Sequence, residues 1–286
     1  LNTKGGVHSE FTIKRETEDS FYLVSAGAFQ RLDHDWILKW MPSDGSVQFE
    51  NLTNSIGVLV VSGPKARDLM TKVSRDDFSN ENFKWLSSKK VEIGYAPCTA
   101  MRVNFVGELG WELHHPIEYQ NHIFDKVMEA GKDLGIKPYG IRAMNSLRVE
   151  KSYKLVGTEL SIEYSPYESG LDRFIHPNKG SFIGLEALNK WREKGFSNKL
   201  VTMEVHNVTD ADVLGNNPIY ENGKVVGRAT GGDFGFRLNK SIALGMVKPE
   251  LATTGQKLKI DILGKMHDTT ILDESPYDPD NKLLRS

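Results

Sequence analysis

Arg102-Val103-Asn104-Phe105-Val106-Gly107-Glu108-Leu109-Gly110-Trp111-Glu112-Leu113 is the stretch on which the reading of this chain turns. It predicts a strand ending in Phe105-Val106, a turn bounded by Gly107 and Gly110, and a second strand through Trp111 and Leu113. Two carboxylates, Glu108 and Glu112, fall on or beside that turn. A carboxylate just after a glycine turn, flanked by aromatics, can anchor a flat polar heterocycle. The plainer reading is a hairpin with a surface glutamate. Downstream, Ile123, Phe124, Val127, Met128 and Leu134 share one helical face and Asp125, Lys126, Glu129 and Lys132 the other, which predicts an amphipathic helix over 117–134. A second helix, over 142–153, places Met144, Leu147 and Lys151 along one side and Arg148 beside Glu150. Strand pairs followed by helices that pack by one face make an α+β arrangement.

Upstream, Gly5-Gly6 lets the chain pass close to a neighbouring strand or a ligand and leads to Glu10. Residues 10–25 alternate as a hairpin, and a helix opening at Gly27 carries Phe29, Leu32, Trp36 and Trp40 at three- and four-residue spacing until Pro42. That aromatic stripe is expected in the core. Two strands are expected within 47–62, a helix over 65–73 with Pro64 before it, and strands over 91–95 and 99–105. Beyond Lys151, Pro166-Tyr167-Glu168-Ser169-Gly170-Leu171-Asp172 reads as a loop, and Phe182-Ile183-Gly184 introduces a helix with Leu185, Leu188 and Trp191 on one stripe. From Lys199 the pattern changes to period two, with an Asn222-Gly223 turn and no helix, which predicts a small closed or sandwiched β domain. Gly227, Gly231, Gly232 and Gly235 read as tight β turns and a close backbone approach. The expected division is 1–194 in two α+β lobes, 195–275 as the β domain, and a polar tail over 276–286.

The 286 residues carry 26% charged side chains and a formal net charge of -2, which gives no basic footprint for a nucleic acid. The longest aliphatic run, Val58 to Val61, is far short of the roughly 20 residues of a membrane helix. One cysteine, Cys98, excludes an internal disulfide and suits a reducing compartment, the cytosol or a mitochondrial matrix. His114 and His115 are neighbours on a strand and point to opposite faces, so no metal site is expected there. The dinucleotide, Walker and serine-hydrolase signatures do not occur. The carboxylates Glu10, Glu108, Glu112 and Glu168 are left as candidates, able to hold an amine or a pair of ring N–H donors, or to act as a base if burial raises the pKa.

Taken together, Leu1-Asn2-x-x-Gly5-Gly6-Val7, Gly107-Glu108-Leu109-Gly110-Trp111-Glu112, Ala143-Met144-Asn145-Ser146-Leu147-Arg148-Val149-Glu150-Lys151, Pro166-x-Glu168-x-Gly170-Leu171, Phe182-Ile183-Gly184 and Asn222-Gly223-Lys224-Val225-Val226-Gly227 resemble the glycine-cleavage T-protein (aminomethyltransferase) family. The versions of these motifs are most like the folate-binding C-terminal part of dimethylglycine and sarcosine dehydrogenases. The resemblance implies T-protein-like folate-binding lobes, antiparallel sheets with flanking helices whose N-terminal part lies outside this sequence, plus a small C-terminal β-barrel. It implies tetrahydrofolate as cofactor, capture of a one-carbon unit from a methylated amine, and FAD only through a flavin domain upstream in the same polypeptide. Residue by residue, Glu10 matches the acid after Gly-Gly that T-proteins use as Asp, and Glu112 the glutamate that bonds the pterin ring. Phe105 stands where T-proteins have Tyr, Met144 where many have Arg, and Ser25 where they have Asn before the first long helix. A stand-alone aminomethyltransferase and a catalytically silent folate-binding or regulatory module are the alternatives this resemblance leaves.

Overall fold

The structure is a computed structural model and describes residues 1–208 and 210–286. It divides into two units, one made of Phe11–Gly140 with Asp280–Ser286 and the other of Leu1–Glu10 with Ile141–Pro279.

The first, the sheet unit, opens with the expected antiparallel hairpin, β1 (Thr12–Arg15) and β2 (Phe21–Val24), followed by helix α1 (Gln30–Trp40). Strand β3 (Ile56–Ser62), helix α2 (Ala66–Val73), strands β4 (Ser88–Ile93), β5 (Ala96–Met101) and β6 (Gly110–Pro116), and helix α3 (Gln120–Ala130) complete it. The four long strands form one antiparallel sheet in the order β3-β6-β5-β4. Strand alternation sends Trp111 and Leu113 of β6 to one face, where α2 covers them with Ala66, Leu69, Met70 and Val73 and α3 with Ile123 and Val127. Trp111 is fully buried, edge-on to Phe78 at 5.2 Å and to Phe83 at 5.9 Å. The Arg67 and Arg102 guanidiniums lie 5.4 and 5.8 Å from its ring. Both arginines also donate to the Ser286 carbonyl, so the last residues return to this core.

Three expectations fail here. Only one strand, β3, forms within 47–62. The strand before the opening motif ends at Met101, so Phe105 sits in a loop and not on a strand. The Asn104 side chain holds that loop in place of a tight turn, accepting from Val106 N and Gly107 N and donating to the Glu108 carbonyl at 2.5 Å. The aromatic stripe of α1 does not enter the core: Leu32 and Trp40 remain 43% and 45% exposed, and the buried residue of the helix is Asp33. Periodicity shows which side chains share a helix face, not whether anything covers that face.

The second, the barrel unit, contains α4 (Ile141–Glu150), α5 (Leu185–Lys194) and six antiparallel strands: β7 (Lys199–Val205), β8 (Pro218–Glu221), β9 (Lys224–Gly235), β10 (Lys240–Val247), β11 (Lys257–Ile262) and β12 (Lys265–Leu272). They close into a barrel in the order β10-β7-β12-β11-β8-β9. Closure removes the free sheet edges, and inward alternation fills the interior with Val201, Met203, Ile219, Ala243, Leu258 and Ile260. Asn222 and Gly223, at φ 48° and 76°, make the tight β8–β9 turn that their sequence announces. Gly231, Gly232 and Gly235 lie inside β9 and not in turns. At two of them the role is a close approach: a Cβ at Gly235 would stand 2.8 Å from Glu150 Cγ, and one at Gly232 2.6 Å from the Ile242 carbonyl, whereas one at Gly231 would meet Arg148 only at 3.7 Å. Gly6 is likewise pressed onto the Ile162 backbone.

Helix α4 is clamped to the barrel by buried ions. Arg148 bonds Glu159 at 2.8 Å with both side chains almost without exposure, and Glu159 also accepts from Leu155 N at 2.9 Å, Thr158 Oγ1 at 2.8 Å and Thr230 Oγ1 at 2.5 Å. Glu150 pairs with Arg237, and Asn145 donates to Asp233 at 2.8 Å. Every lone pair and proton in this cluster that leaves water must find a partner, which is why the Asn145-Ser146-Leu147-Arg148-Val149-Glu150-Lys151 run is so polar for a buried helix face.

Candidate functional site

The sheet of the sheet unit has a second face, opposite the helices, and β6 sends Glu112 and His114 to it. Register sets Glu112 between Val60 of β3 and Met101 of β5, and His114 between Val58 and Thr99. The hairpin β1–β2 reaches this face through Tyr22, whose ring meets the His114 imidazole edge-on at 5.5 Å and 89°. The Tyr22 hydroxyl lies 3.1 Å from His114 Nδ1, and His114 Nε2 lies 3.2 Å from Glu112 Oε2. A three-residue hydrogen-bond chain thus ends on a carboxylate whose side chain keeps 22% exposure, while the His114 side chain keeps 3%. Burial, then the negative charges of Glu112 and Glu16, raise the Tyr22 pKa, so the phenol holds its proton through the neutral range. Nearby, Lys90 donates to Thr99 Oγ1 at 2.8 Å, and Lys14 bonds Glu16 at 2.6 Å and holds its carboxyl below the usual range.

Of the residues named from the sequence, Ser25, Phe105 and Glu112 lie in the sheet unit, and Glu10 and Met144 in the barrel unit. Ser25 follows β2 directly and is half-buried, as is Phe105 in the Asn104-held loop that leads into β6. Glu108, expected at the surface of a turn, is buried. Met144 is half-buried on α4, one residue before the Asn145–Asp233 bond. Glu10 closes the first segment of its unit. Its surface is open, yet the protein atoms around the carboxyl take it partly out of water and raise its pKa, with Lys154 acting in the opposite sense. Lys154 itself bonds Glu274 at 2.5 Å.

Glu112 Oε1 accepts no hydrogen bond from the described residues, so the carboxylate offers one oriented oxygen with both lone pairs and a second with one lone pair left. Such a group accepts from two adjacent N–H donors. The one thiol is unsuited to act as a nucleophile: burial pushes the Cys98 pKa up to about 12. Sequence reasoning missed Tyr22 and His114. The Glu-x-His spacing on a strand would have placed His114 beside Glu112, but Tyr22 stands 92 positions away and left no local signal.

Comparison with known proteins bears on both units. Residues 1–179 match the family model of the GCVT N-terminal domain, and residues 198–278 that of the glycine cleavage T-protein C-terminal barrel domain. The mitochondrial dimethylglycine dehydrogenase of Homo sapiens is 36% identical over 276 residues, which are 96% of this chain and 32% of the relative. The chain therefore spans about a third of the length of that protein. The aminomethyltransferase of Caldanaerobacter subterraneus subsp. tengcongensis is 31% identical over 282 residues, 96% of this chain and 73% of the relative. Among solved structures, the glycine cleavage system aminomethyltransferase T from Bartonella henselae superposes with a TM-score of 0.83 at 19% identity, covering 98% of this chain and 74% of that one, a likeness of fold.

Proposed function

The chain belongs to the glycine cleavage T-protein family, and from that premise we propose that it is a tetrahydrofolate-binding one-carbon transfer module of the kind found in dimethylglycine and sarcosine dehydrogenases. The observation that carries this reading is the Glu112 carboxylate, 22% exposed on the sheet face opposite the helices with Oε1 left to accept. Its donor demand fits the 2-amino and ring N–H pair of a reduced pterin. Phe105, in the loop that leads to the same strand, supplies the apolar surface against which a flat ring packs. Bound tetrahydrofolate would supply the nitrogen nucleophile that accepts a one-carbon unit. Ser25, in the same unit as Glu112, is assigned to the rest of the folate; in the barrel unit, Met144 and Glu10 carry the binding and proton-handling roles that the family match gives their positions, and burial raises the Glu10 pKa.

In a longer protein of this kind, a flavin domain upstream would oxidise the methylated amine and this module would receive the carbon. A second reading is a stand-alone aminomethyltransferase. It is supported by the 31% identity to the aminomethyltransferase of Caldanaerobacter subterraneus subsp. tengcongensis. Calorimetric titration with tetrahydrofolate tests the shared part of both readings. Binding by the parent chain, lost in Glu112→Ala, is the expected result, and no heat from the folded parent would refute it. Formation of methylene-tetrahydrofolate without a flavin would then select the transferase.

A further inference from the structure

We propose that Tyr22 and His114 are positioning residues for Glu112, holding its carboxylate in the one orientation that receives a paired N–H donor edge. This rests on the assignment of Glu112 to the folate ring. The argument starts from what each group can do. A carboxylate only accepts, so His114 Nε2, 3.2 Å from Glu112 Oε2, must carry the hydrogen of that contact. In the neutral ring the proton is then spent, Nδ1 accepts, and the Tyr22 hydroxyl, 3.1 Å away, is the donor. Tyr22 can serve because its surroundings keep the phenol protonated. If the ring gains a second proton, Nδ1 donates to the same hydroxyl and the Nε2–Glu112 bond is unchanged. Either state points one hydrogen at Oε2 and none at Oε1.

The setting makes this arrangement rigid. The flanking strands place Val58 and Thr99 on either side of His114, Thr99 Oγ1 takes its bond from Lys90, and the Tyr22 ring closes over the imidazole edge-on. A glutamate alone on a sheet face samples many rotamers, and binding must then order it. Here the ordering is done before the ligand arrives. The ligand class that gains is a planar heterocycle with two adjacent N–H donors, such as a 2-amino-pyrimidinone edge. A ligand with a single donor gains less, because it uses Oε1 alone.

The test uses the whole chain, tetrahydrofolate titration and the 15N signals of the His114 imidazole. Tyr22→Phe removes one hydroxyl and keeps the ring. It is expected to weaken tetrahydrofolate about three- to tenfold, the range of one net hydrogen bond, with the thermal midpoint little changed. In a Glu112→Gln background the same change is expected to cost nothing further. His114→Gln, which keeps an N–H within reach of Oε2, should retain more affinity than His114→Ala. A Tyr22→Phe chain that loses thermal stability but keeps its affinity, or that loses equal affinity with and without Glu112, overturns the positioning role. The imidazole signals need no ligand: the parent should show Nε2–H and an unprotonated Nδ1 that accepts a hydrogen bond, and Tyr22→Phe the same tautomer with the Nδ1 signal moved to that of a nitrogen without a donor. If the parent fails to bind tetrahydrofolate but shows that tautomer, the assignment of Glu112 fails and the hydrogen-bond chain stands. If it binds but shows no fixed tautomer, the assignment stands and the chain fails.

Discussion

Arg148→Met should be among the most damaging substitutions in the barrel unit, for an electrostatic reason and not for lost volume. The guanidinium donates to Glu159 at 2.8 Å, the Tyr153 carbonyl at 2.9 Å and Asn145 Oδ1 at 3.0 Å, and the side chains of the pair are 3% and 0% exposed. Met fills the space but leaves the Glu159 charge without its counter-ion in a site closed to water. Removing one member of a buried pair costs about 3–5 kcal/mol. The donors left to Glu159, from Leu155, Thr158 and Thr230, argue for the lower part of that range. With an m-value on the order of 3 kcal/mol/M, the urea midpoint falls by roughly 1 M. Amide hydrogen exchange on β9 and β10 reads the loss in the unit where it occurs. Glu159→Gln in the same chain should restore part of it, giving a coupling of about 1.5–3 kcal/mol. Because the pair is buried, 1 M NaCl should leave the difference nearly intact. A loss below about 1 kcal/mol, or one that salt abolishes, would refute the reasoning.

Cys98 supplies a pH test. Its folded pKa, about 12, lies above the ordinary thiol value, so the folded state binds more protons than the unfolded one as pH rises from 9. The Cys98 contribution is complete below pH 9 and is lost between 9 and about 12, and Cys98→Ala should remove that component from the pH dependence of the urea midpoint. Native protein at pH 8 should resist iodoacetamide until denaturant is added. At the β11–β12 turn, Leu263 holds φ 51° with 79% of its surface exposed, so Leu263→Asn should raise stability by about 0.5–1 kcal/mol in thermal unfolding. Gly232→Ala should lower it by about 1–3 kcal/mol, since the new Cβ meets the Ile242 carbonyl and Val213 Cβ at 2.6 and 2.8 Å. Trp111→Ala, emptying the centre of the sheet core, should cost about 3–5 kcal/mol.

The sequence alone was enough for the β character of the C-terminal domain, because period-two alternation and an Asn-Gly turn are local properties of a strand pair, while the choice of a closed barrel over a sandwich came with the family resemblance; it was enough too for α2, announced by Pro64, and for α3, whose apolar positions repeat at helical spacing. It was also enough for the family, since motif residues identify relatives whether or not their roles are understood. Within the candidate site it singled out Glu112, whose strand it placed correctly, but mistook the loop before it, where one asparagine side chain replaces the hydrogen bonds of a tight turn. The stripe of α1 was legible as a stripe and misread as core.

What only the tertiary structure decided are pairings between distant residues. Arg148 meets Glu159 and Glu150 meets Arg237 because α4 lies on β9, and the polar run on that helix has no local meaning until the barrel strand is beside it. Glu112 and His114 share a sheet face by strand geometry, yet the hydroxyl that meets His114 Nδ1 belongs to Tyr22 on a separate hairpin. Local pattern sets the face a side chain takes; strand register and the packing of remote elements choose its partner, and so the direction of its hydrogen bonds.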